Sequence, residues 1–476
     1  MANIAMLLDL AADAMGDRRA VGDLTYADVR RLAIAAAPDV AARARGTLAF
    51  ADANCQAVPV ALFAAAWAGV SYAPLNYRLP PAQQQALVDR LDTGYLVETD
   101  KAETWLDELR SRATDEPAPY PDETDHPAVL LFTSGTSSEP KAAVLDHDNL
   151  LAYILNAGDF MSAGEDEAVL MVVPPFHIAG VAGTLSSIYA GRRIVPLSKF
   201  TPEAWLEAAR TEHVTHAFVV PTMLARIVAV MEDQGGVELP SLRTLSYGGA
   251  RMPVPVLERA LELFPNAGFV NAYGLTETSS TVALLGPEDH RTAMAGDRVR
   301  LASVGRPLPG IEVEVVDEDG NLVAPGDEGR IRIRGPQVSG EYVGVDGGVD
   351  PDGWLVTGDI GTVDEEGYLF VKGRADDVII AGGENLSPGE IEDCLLRHPR
   401  VTGAAVVGVP DDEWGEQVAA MVTISGTISA DDLIEWVRSQ LGGLKAPKRI
   451  EVRDELPMTP TGKLLRREVR AELGSR

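Results

Sequence analysis

The stretch LLFTSGTSSEPK, residues 130–141, carries an apolar strand straight into small and hydroxylated residues and closes on Pro140-Lys141. A loop of this make-up can aim hydroxyls and backbone N–H groups at an oxyanion, with the lysine adding a point charge. The G-x-x-x-x-G-K-S/T spacing is absent, so it is not a Walker loop. Taken alone, a Ser/Thr/Gly loop is more often a solvated turn than a binding site. Its meaning depends on what else the chain holds.

Three further stretches change the reading. NAYGLTETSS, residues 271–280, supplies the ring of Tyr273, a glycine, the hydroxyl of Thr276 and the carboxylate of Glu277 within a few positions. A ring can cover a nucleobase while a carboxylate holds Mg²⁺ on phosphates. In isolation, a strand-end tyrosine and a surface acid are an equally good reading. Residues 353–392 place Asp359 after one strand and Arg374 after another, followed by a Gly382-Gly383 turn. PMTPTGK, residues 457–463, puts Lys463 on a turn before the final helix.

Outward from these motifs, Val/Ile/Leu-rich runs at 46–50, 168–173 and 216–220 alternate with alanine-rich helical stretches, which predicts α/β layers with buried sheets as far as about residue 335. Close-spaced runs at 312–316, 330–334, 354–357, 361–363 and 368–371, separated by Asp/Gly and Glu/Gly turns, predict an antiparallel β-rich portion. After Arg374, Ser387-Pro388 reads as an N-cap and first turn. Strands at 403–409 and 417–424 and helices at 430–441 and 464–472 complete a small α+β unit. The expected architecture is therefore α/β: a large N-terminal domain, 1–373, of layered αβ subdomains plus a β-rich one, then a small α+β C-terminal domain, 374–476.

Bulk properties bound the function. With 46% hydrophobic and 24% charged residues among 476, the chain is long enough for more than one core. A formal net charge of −30 argues against nucleic acid or an anionic membrane surface as partner. The two cysteines, Cys55 and Cys394, form no metal-like spacing and fit a reducing cytoplasm. Asp9 and Asp13 interrupt the apolar N-terminus, which lacks a positive region and so does not read as a signal peptide. The apolar run 57–70 is too short to span a bilayer and reads as a buried helix.

The four motif segments, in this order, resemble the adenylate-forming superfamily of acyl- and aryl-CoA ligases, carrier-loading adenylation domains and beetle luciferase, from about Leu24 to the last helix. The resemblance implies that Thr133, Ser134, Gly135, Thr136 and Lys141 grip the β- and γ-phosphates of ATP. Gly248, Gly249 and Ala250 would lie along adenine, with Asn271 reading its edge and Tyr273 stacking on it. Thr276 would bond phosphate, Glu277 would be the Mg²⁺ ligand, and Asp359, helped by Arg374, would take the ribose. Lys463 would reach the bridging oxygen and the acid's carboxylate. In this family the C-terminal domain is mobile about a hinge matching Asp376, with Gly383 lining the thiol tunnel and Trp414 in the coenzyme A loop. The chain departs from the pattern at Ser137-Ser138 and Ala142 in the phosphate loop, and at Arg251, where proline commonly stands.

The implied reaction joins a small-molecule carboxylic acid to coenzyme A in two steps, with ATP and Mg²⁺, in fatty or aromatic acid metabolism. PPFHIAGVAG, residues 174–183, lacks the aspartate with which amino-acid-activating relatives pair an ammonium group, and its His177 resembles the histidine of aryl- and acyl-CoA ligases. Ile178, Gly180, Val181, Tyr247, Gly274 and Thr281 form the expected acid pocket, apolar and small. Lys445, Lys448 and Arg449 make the tail locally basic, which suits a polyanionic thiol. The alternatives are a stand-alone enzyme loading an acyl carrier protein's phosphopantetheine arm, or a nucleotide-binding protein that has lost turnover, suggested by Ser138 and Ala142. A homodimer is compatible with the sequence.

Overall fold

The computed structural model describes residues 2–91, 93–116, 118–121, 124–133, 140–345, 348–411, 414–459 and 463–474. Ser134, Gly135 and Thr136, together with Ser137 and Ser138, lie outside the described residues. Helix Ala57–Ala68 is apolar on every side and buried at all but its last residue, so its place is between two layers. It stops at Gly69, whose φ of 70° only glycine adopts without strain. The layers are two sheets. One has the strand order Tyr95–Val97, Thr47–Phe50, Ser71–Pro74, Val129–Thr133, Lys141–Leu145, all parallel except the last pair. The other has nine strands with a parallel centre, in which Ala168–Met171, His216–Val219, Thr244–Gly248 and Gly268–Leu275 lie side by side.

One apolar cluster fills the space between them, drawing Leu48, Phe50 and Val129 from the first sheet, Met171 and Ile194 from the second, and helices Tyr26–Arg43, Ala57–Ala68 and Ile178–Ala190. A second cluster covers the far face of the nine-stranded sheet with Leu170, Val195, Leu245 and Tyr247 under helices Pro221–Asp233 and Val254–Leu263. Neighbouring residues such as Leu170 and Met171 thus serve opposite layers. This is why the strands read as continuous apolar runs and not as alternating ones.

The β-rich portion is a four-stranded antiparallel sheet, Glu312–Val316, Gly329–Arg334, Leu355–Val363 and Leu369–Arg374. The two strands expected at 354–357 and 361–363 are one. Gly358, at φ 76°, bends it without breaking the pairing, and the register shifts between Ile360 and Gly361. The expected break between the two runs is here a kink with a bulge.

Residues from Ile379 onward pack on their own core of Ile391, Leu395, Val406, Val418, Ala420, Leu433 and Val437. Helix Ala430–Leu441 has the expected bounds, with the Ser429 hydroxyl accepting from the Asp432 N–H. Two expectations fail in detail. Ser387 precedes helix Pro388–Leu396 but its side chain does not cap it; the hydroxyl donates to the Lys372 carbonyl at 3.0 Å. The last helix begins at Arg466 and not at 464, because Leu464 is bridged to Met458 in the turn that presents Lys463.

Candidate active site

Each motif sits where a strand ends. Thr133 and Lys141 face each other across the Val129–Thr133/Lys141–Leu145 pair, and the Thr133 hydroxyl donates to the Lys141 carbonyl at 3.4 Å. Tyr273 lies near the end of Gly268–Leu275, and Thr276 and Glu277 form the short turn that follows. That turn is held internally. The Thr278 hydroxyl accepts from the Leu275 N–H at 2.9 Å and lies 2.8 Å from the Ser280 carbonyl. Ser279 and Ser280 adopt positive φ of 53° and 118°. Two non-glycine residues in this region mark backbone strain beside the site.

Asp359 joins two of these pieces. It is buried, accepts the Tyr273 hydroxyl on Oδ2 at 2.7 Å and meets Arg374 Nη1 on Oδ1 at 3.2 Å. The same guanidinium nitrogen donates to the Thr357 carbonyl at 2.8 Å, lying over Gly358. Burial and the neighbouring carboxylate raise the Tyr273 phenol well above its ordinary range, so it stays protonated and donates.

Lys463 reaches the same place from the C-terminal end. Its N–H donates to Thr459 Oγ1 at 2.9 Å, and the Thr459 N–H returns to the Lys463 carbonyl at 2.7 Å. Burial, and then Arg374, push its ammonium below the usual lysine range, while Glu277 and Asp359 act in the opposite sense. Burial, and then the Lys463 charge, pull the His177 imidazole down to about 3. The lysine, the histidine and the two carboxylates therefore share one cleft.

His177 caps helix Ile178–Ala190, its Nδ1 accepting from the Ala179 N–H at 3.2 Å. The neutral ring consequently carries its proton on Nε2 and presents a donor. The positive end of the helix dipole disfavours an imidazolium there as well.

Tyr342 was not anticipated. Its hydroxyl donates to Glu277 Oε1, and Lys141 Nζ lies 5.7 Å from its ring centroid. The segment carrying it runs beside Lys141–Leu145, with Val343 N–H bonded to the Ala142 carbonyl and Val144 N–H to the Glu341 carbonyl. It thus links the base of the phosphate loop to Glu277. Its only sequence signal is a lone aromatic in SGEYVG.

The fit to a cation is specific. Among the described residues no group of three His, Cys, Asp or Glu side chains could cage a metal. Mg²⁺ binds through one or two carboxylates with substrate phosphates and water, and Glu277 suits that role: Tyr342 occupies Oε1 and orients Oε2.

The acid pocket needs correction. Tyr247 does not line the space near His177. It lies in the cluster on the opposite face of the nine-stranded sheet, fully buried, with its hydroxyl 2.9 Å from His290 Nε2. Register decides this, because a side chain one position along a strand changes faces. Ile178 and Val181 are buried in the central cluster. A Cβ on Gly180 would lie 2.6 Å from the Pro174 carbonyl oxygen, and one on Gly274 would lie 1.7 Å from that of Ser280. These two are glycines because backbones touch there. The Thr281 carbonyl accepts from Gln337 at 2.8 Å.

Of the remaining expected residues, Gly248 abuts the Ala272 carbonyl, Gly249 takes a φ of 81° and Ala250 is exposed. Asn271 donates its amide to the Ser303 carbonyl at 3.2 Å. Asp376 is exposed in the turn Ala375–Asp377. Gly382 N–H bonds the Trp414 carbonyl at 2.9 Å, which puts the half-exposed Trp414 beside the Gly382-Gly383 turn. Among the described residues Lys463 bonds to Thr459 and not to that pair. Arg251 reaches Asp393 of helix Pro388–Leu396, with Nη1 2.9 Å from Oδ1 and Nη2 bonded to Oδ2.

A cleft assembled from strand ends, with a lysine delivered by a separately cored C-terminal unit, is that of an adenylate-forming enzyme. The chain belongs to the AMP-binding enzyme family: that family's model matches residues 8–343, and the model of the AMP-binding enzyme C-terminal domain matches 390–463. It is 36% identical over 472 residues to a feruloyl-CoA synthase of Amycolatopsis sp, covering 95% of this chain and 94% of the relative. Two structures of the Bacillus subtilis o-succinylbenzoate CoA synthetase are similar. The complex with the acyl-adenylate intermediate OSB-AMP has TM-score 0.84 and 29% identity, covering 99% of this chain and 98% of that one. The complex with ATP and magnesium ion has TM-score 0.83 and 28% identity, covering 97% and 98%. The chain is an AMP-forming acid–thiol ligase.

Proposed function

We propose that this ligase activates an acid bearing an uncharged aromatic ring and transfers the acyl group to coenzyme A. In the first step a carboxylate oxygen attacks the α-phosphorus of ATP, the bond to the β-phosphate breaks and pyrophosphate leaves. In the second, the thiol gives up its proton to solvent, its sulfur attacks the acyl carbon, the bond to AMP oxygen breaks and AMP leaves. The observation that carries the reading is the convergence of Lys463 on His177, Glu277 and Asp359.

The residues then divide the work. The His177 Nε2–H donates to a carboxylate oxygen of the acid, and its neutrality leaves that carboxylate nucleophilic. Lys463 and Arg374 hold positive charge where negative charge develops, in a site largely shielded from water. Glu277 would hold Mg²⁺, which would supply charge neutralisation on the phosphates. Asp359 and Tyr273 orient the nucleoside, and Thr133 and Lys141 the outer phosphates, together with Ser134, Gly135 and Thr136. The division at 373/374, with the Asp376 turn as hinge, lets the C-terminal unit present a second face, with Gly383 and Trp414, to the thiol. The neutral His177 and the similarity to a feruloyl-CoA synthase support an aromatic acid. A cytoplasmic location suits the two free cysteines and the substrates; no described helix is long and apolar enough to cross a membrane.

Hydroxamate trapping over aromatic, alicyclic and aliphatic acids tests the acid. An aliphatic acid with the highest kcat/KM would overturn the aromatic assignment. Repeating the assay with free coenzyme A and with a holo-carrier protein separates the acceptors, and faster turnover with the carrier would move the assignment to a carrier-loading enzyme.

A further inference from the structure

Arg251 follows the strand Thr244–Gly248, and its guanidinium crosses to helix Pro388–Leu396, which belongs to the core of the C-terminal unit. The contact is a two-pronged pair with Asp393, Nη1 to Oδ1 at 2.9 Å and Nη2 to Oδ2. The geometry leaves no slack: a Cβ on Gly389 would lie 2.8 Å from Arg251 Nε, so the arginine lies flat on the first turn of that helix.

The preceding residue of the helix ties it to the segment that follows Lys463. Glu392 accepts Arg466 Nη1 at 2.6 Å and Nη2 at 2.9 Å, and also the Val406 N–H at 2.9 Å. Arg466 Nη1 donates in addition to the Val406 carbonyl at 2.7 Å, and Nε lies 3.5 Å from Asp377 in the turn that joins the two units. Arg466 stands three residues after Lys463. A single helical turn, Glu392-Asp393, therefore connects the N-terminal layers to the segment that carries the lysine.

We propose that Arg251 is a positioning residue that clamps the C-terminal unit in the acyl-adenylate-forming arrangement, so that breaking its pair with Asp393 is a required step before the thiol reaches the acyl-adenylate. This rests on the two-step reading above. The Lys463 charge is felt at His177 in the cleft, and on the two-step reading the unit carrying that lysine must withdraw before the thiol enters. Arg251 is well suited to govern the withdrawal because it touches neither end of the reaction. A bidentate Arg–carboxylate pair, here with a buried carboxylate and a partly exposed arginine, is a directional contact that holds one arrangement and nothing near it.

Two measurements test it. Spin labels at Glu262→Cys and Ser439→Cys, on exposed helices of the two units, report their separation in the protein without substrates. The wild type should give one narrow distance. Arg251→Ala and Asp393→Asn should add a second population, and the swap Arg251→Glu with Asp393→Arg should remove it. Acid-dependent pyrophosphate exchange should fall about five- to tenfold in each single variant, the low end of couplings between sites. Thioester formation from supplied acyl-adenylate should hold or rise, and the swap should restore the exchange. Identical distance distributions in all variants, or parallel loss of both half-reactions, would overturn the clamp. A wild type with the narrow distance but no exchange with any acid would overturn the ligase reading while leaving the clamp standing.

Discussion

At the residue scale, the site turns on two groups kept from their usual charge behaviour. His177 is neutral because burial and a nearby ammonium both oppose a second positive charge. Lys463 stays cationic only against desolvation, with Glu277 and Asp359 compensating. Lys463→Ala should therefore lower the adenylation rate by at least about 10²-fold, the order seen when a preorganised donor to developing charge is removed. Thioester formation from supplied acyl-adenylate should change by no more than about threefold, since on the proposed two-step reading the group has left the cleft by then. Stopped-flow measurement of each half-reaction decides it, and equal loss in both would show the role misassigned. In the same variant the His177 pKa should rise, yet stay below the ordinary histidine value because burial is the larger cause. An NMR titration reads that shift.

At the element scale, the antiparallel pair Gly268–Leu275/Ser280–Leu285 does most of the positioning. It carries Tyr273 at one end and sets Glu277 in a strained turn whose N–H and carbonyl groups are satisfied by Thr278. The turn is possible because Gly274 lets the Ser280 carbonyl approach its Cα closely. Gly274→Ala should cost about 1–3 kcal/mol in denaturant unfolding, the range for forcing atoms into a packed site. It should also weaken ATP binding, because Tyr273 and Glu277 move together. A variant that loses stability but binds ATP as well as the wild type would show that the pair and the site are independent.

At the scale of the whole molecule, buried histidines contribute to the acid sensitivity of the fold. His147 is 1% exposed; its Nδ1 accepts the Ile4 N–H, and its Nε2 has no protein partner among the described residues. Burial, then His126 and the N-terminus, bring its pKa down to about 4. The folded pKa lies below the unfolded one, so the unfolded chain binds a proton between about pH 6.5 and 4 that the folded chain refuses. Stability is thus unaffected above about 6.5 and falls as pH drops through that window. The slope is up to about 1.4 kcal/mol per pH unit for this residue. His177 adds to the loss in the same direction. Urea unfolding at pH 7 and 5.5 should show His147→Gln with a shallower fall than the wild type; an equal fall would place the acid sensitivity elsewhere.

The sequence alone determined the chemistry and the order of its parts. Thr133, Tyr273, Glu277, Asp359, Arg374 and Lys463 each lie where a short, composition-biased motif meets the end of a predicted strand or a turn, and such signals are local. The layered α/β body and the small C-terminal α+β unit were equally legible, because buried parallel strands and all-apolar helices leave runs that no surface element shows. What tertiary structure decided was everything that depends on facing. Tyr247 left the expected pocket because the side of a strand is fixed by register across the sheet. Gly358 bent a strand instead of ending it because pairing on both flanks outweighed a local turn signal. Tyr342 and the Arg251–Asp393 pair became visible only when segments far apart in the chain were brought within a few ångströms, a distance that no property of either segment encodes.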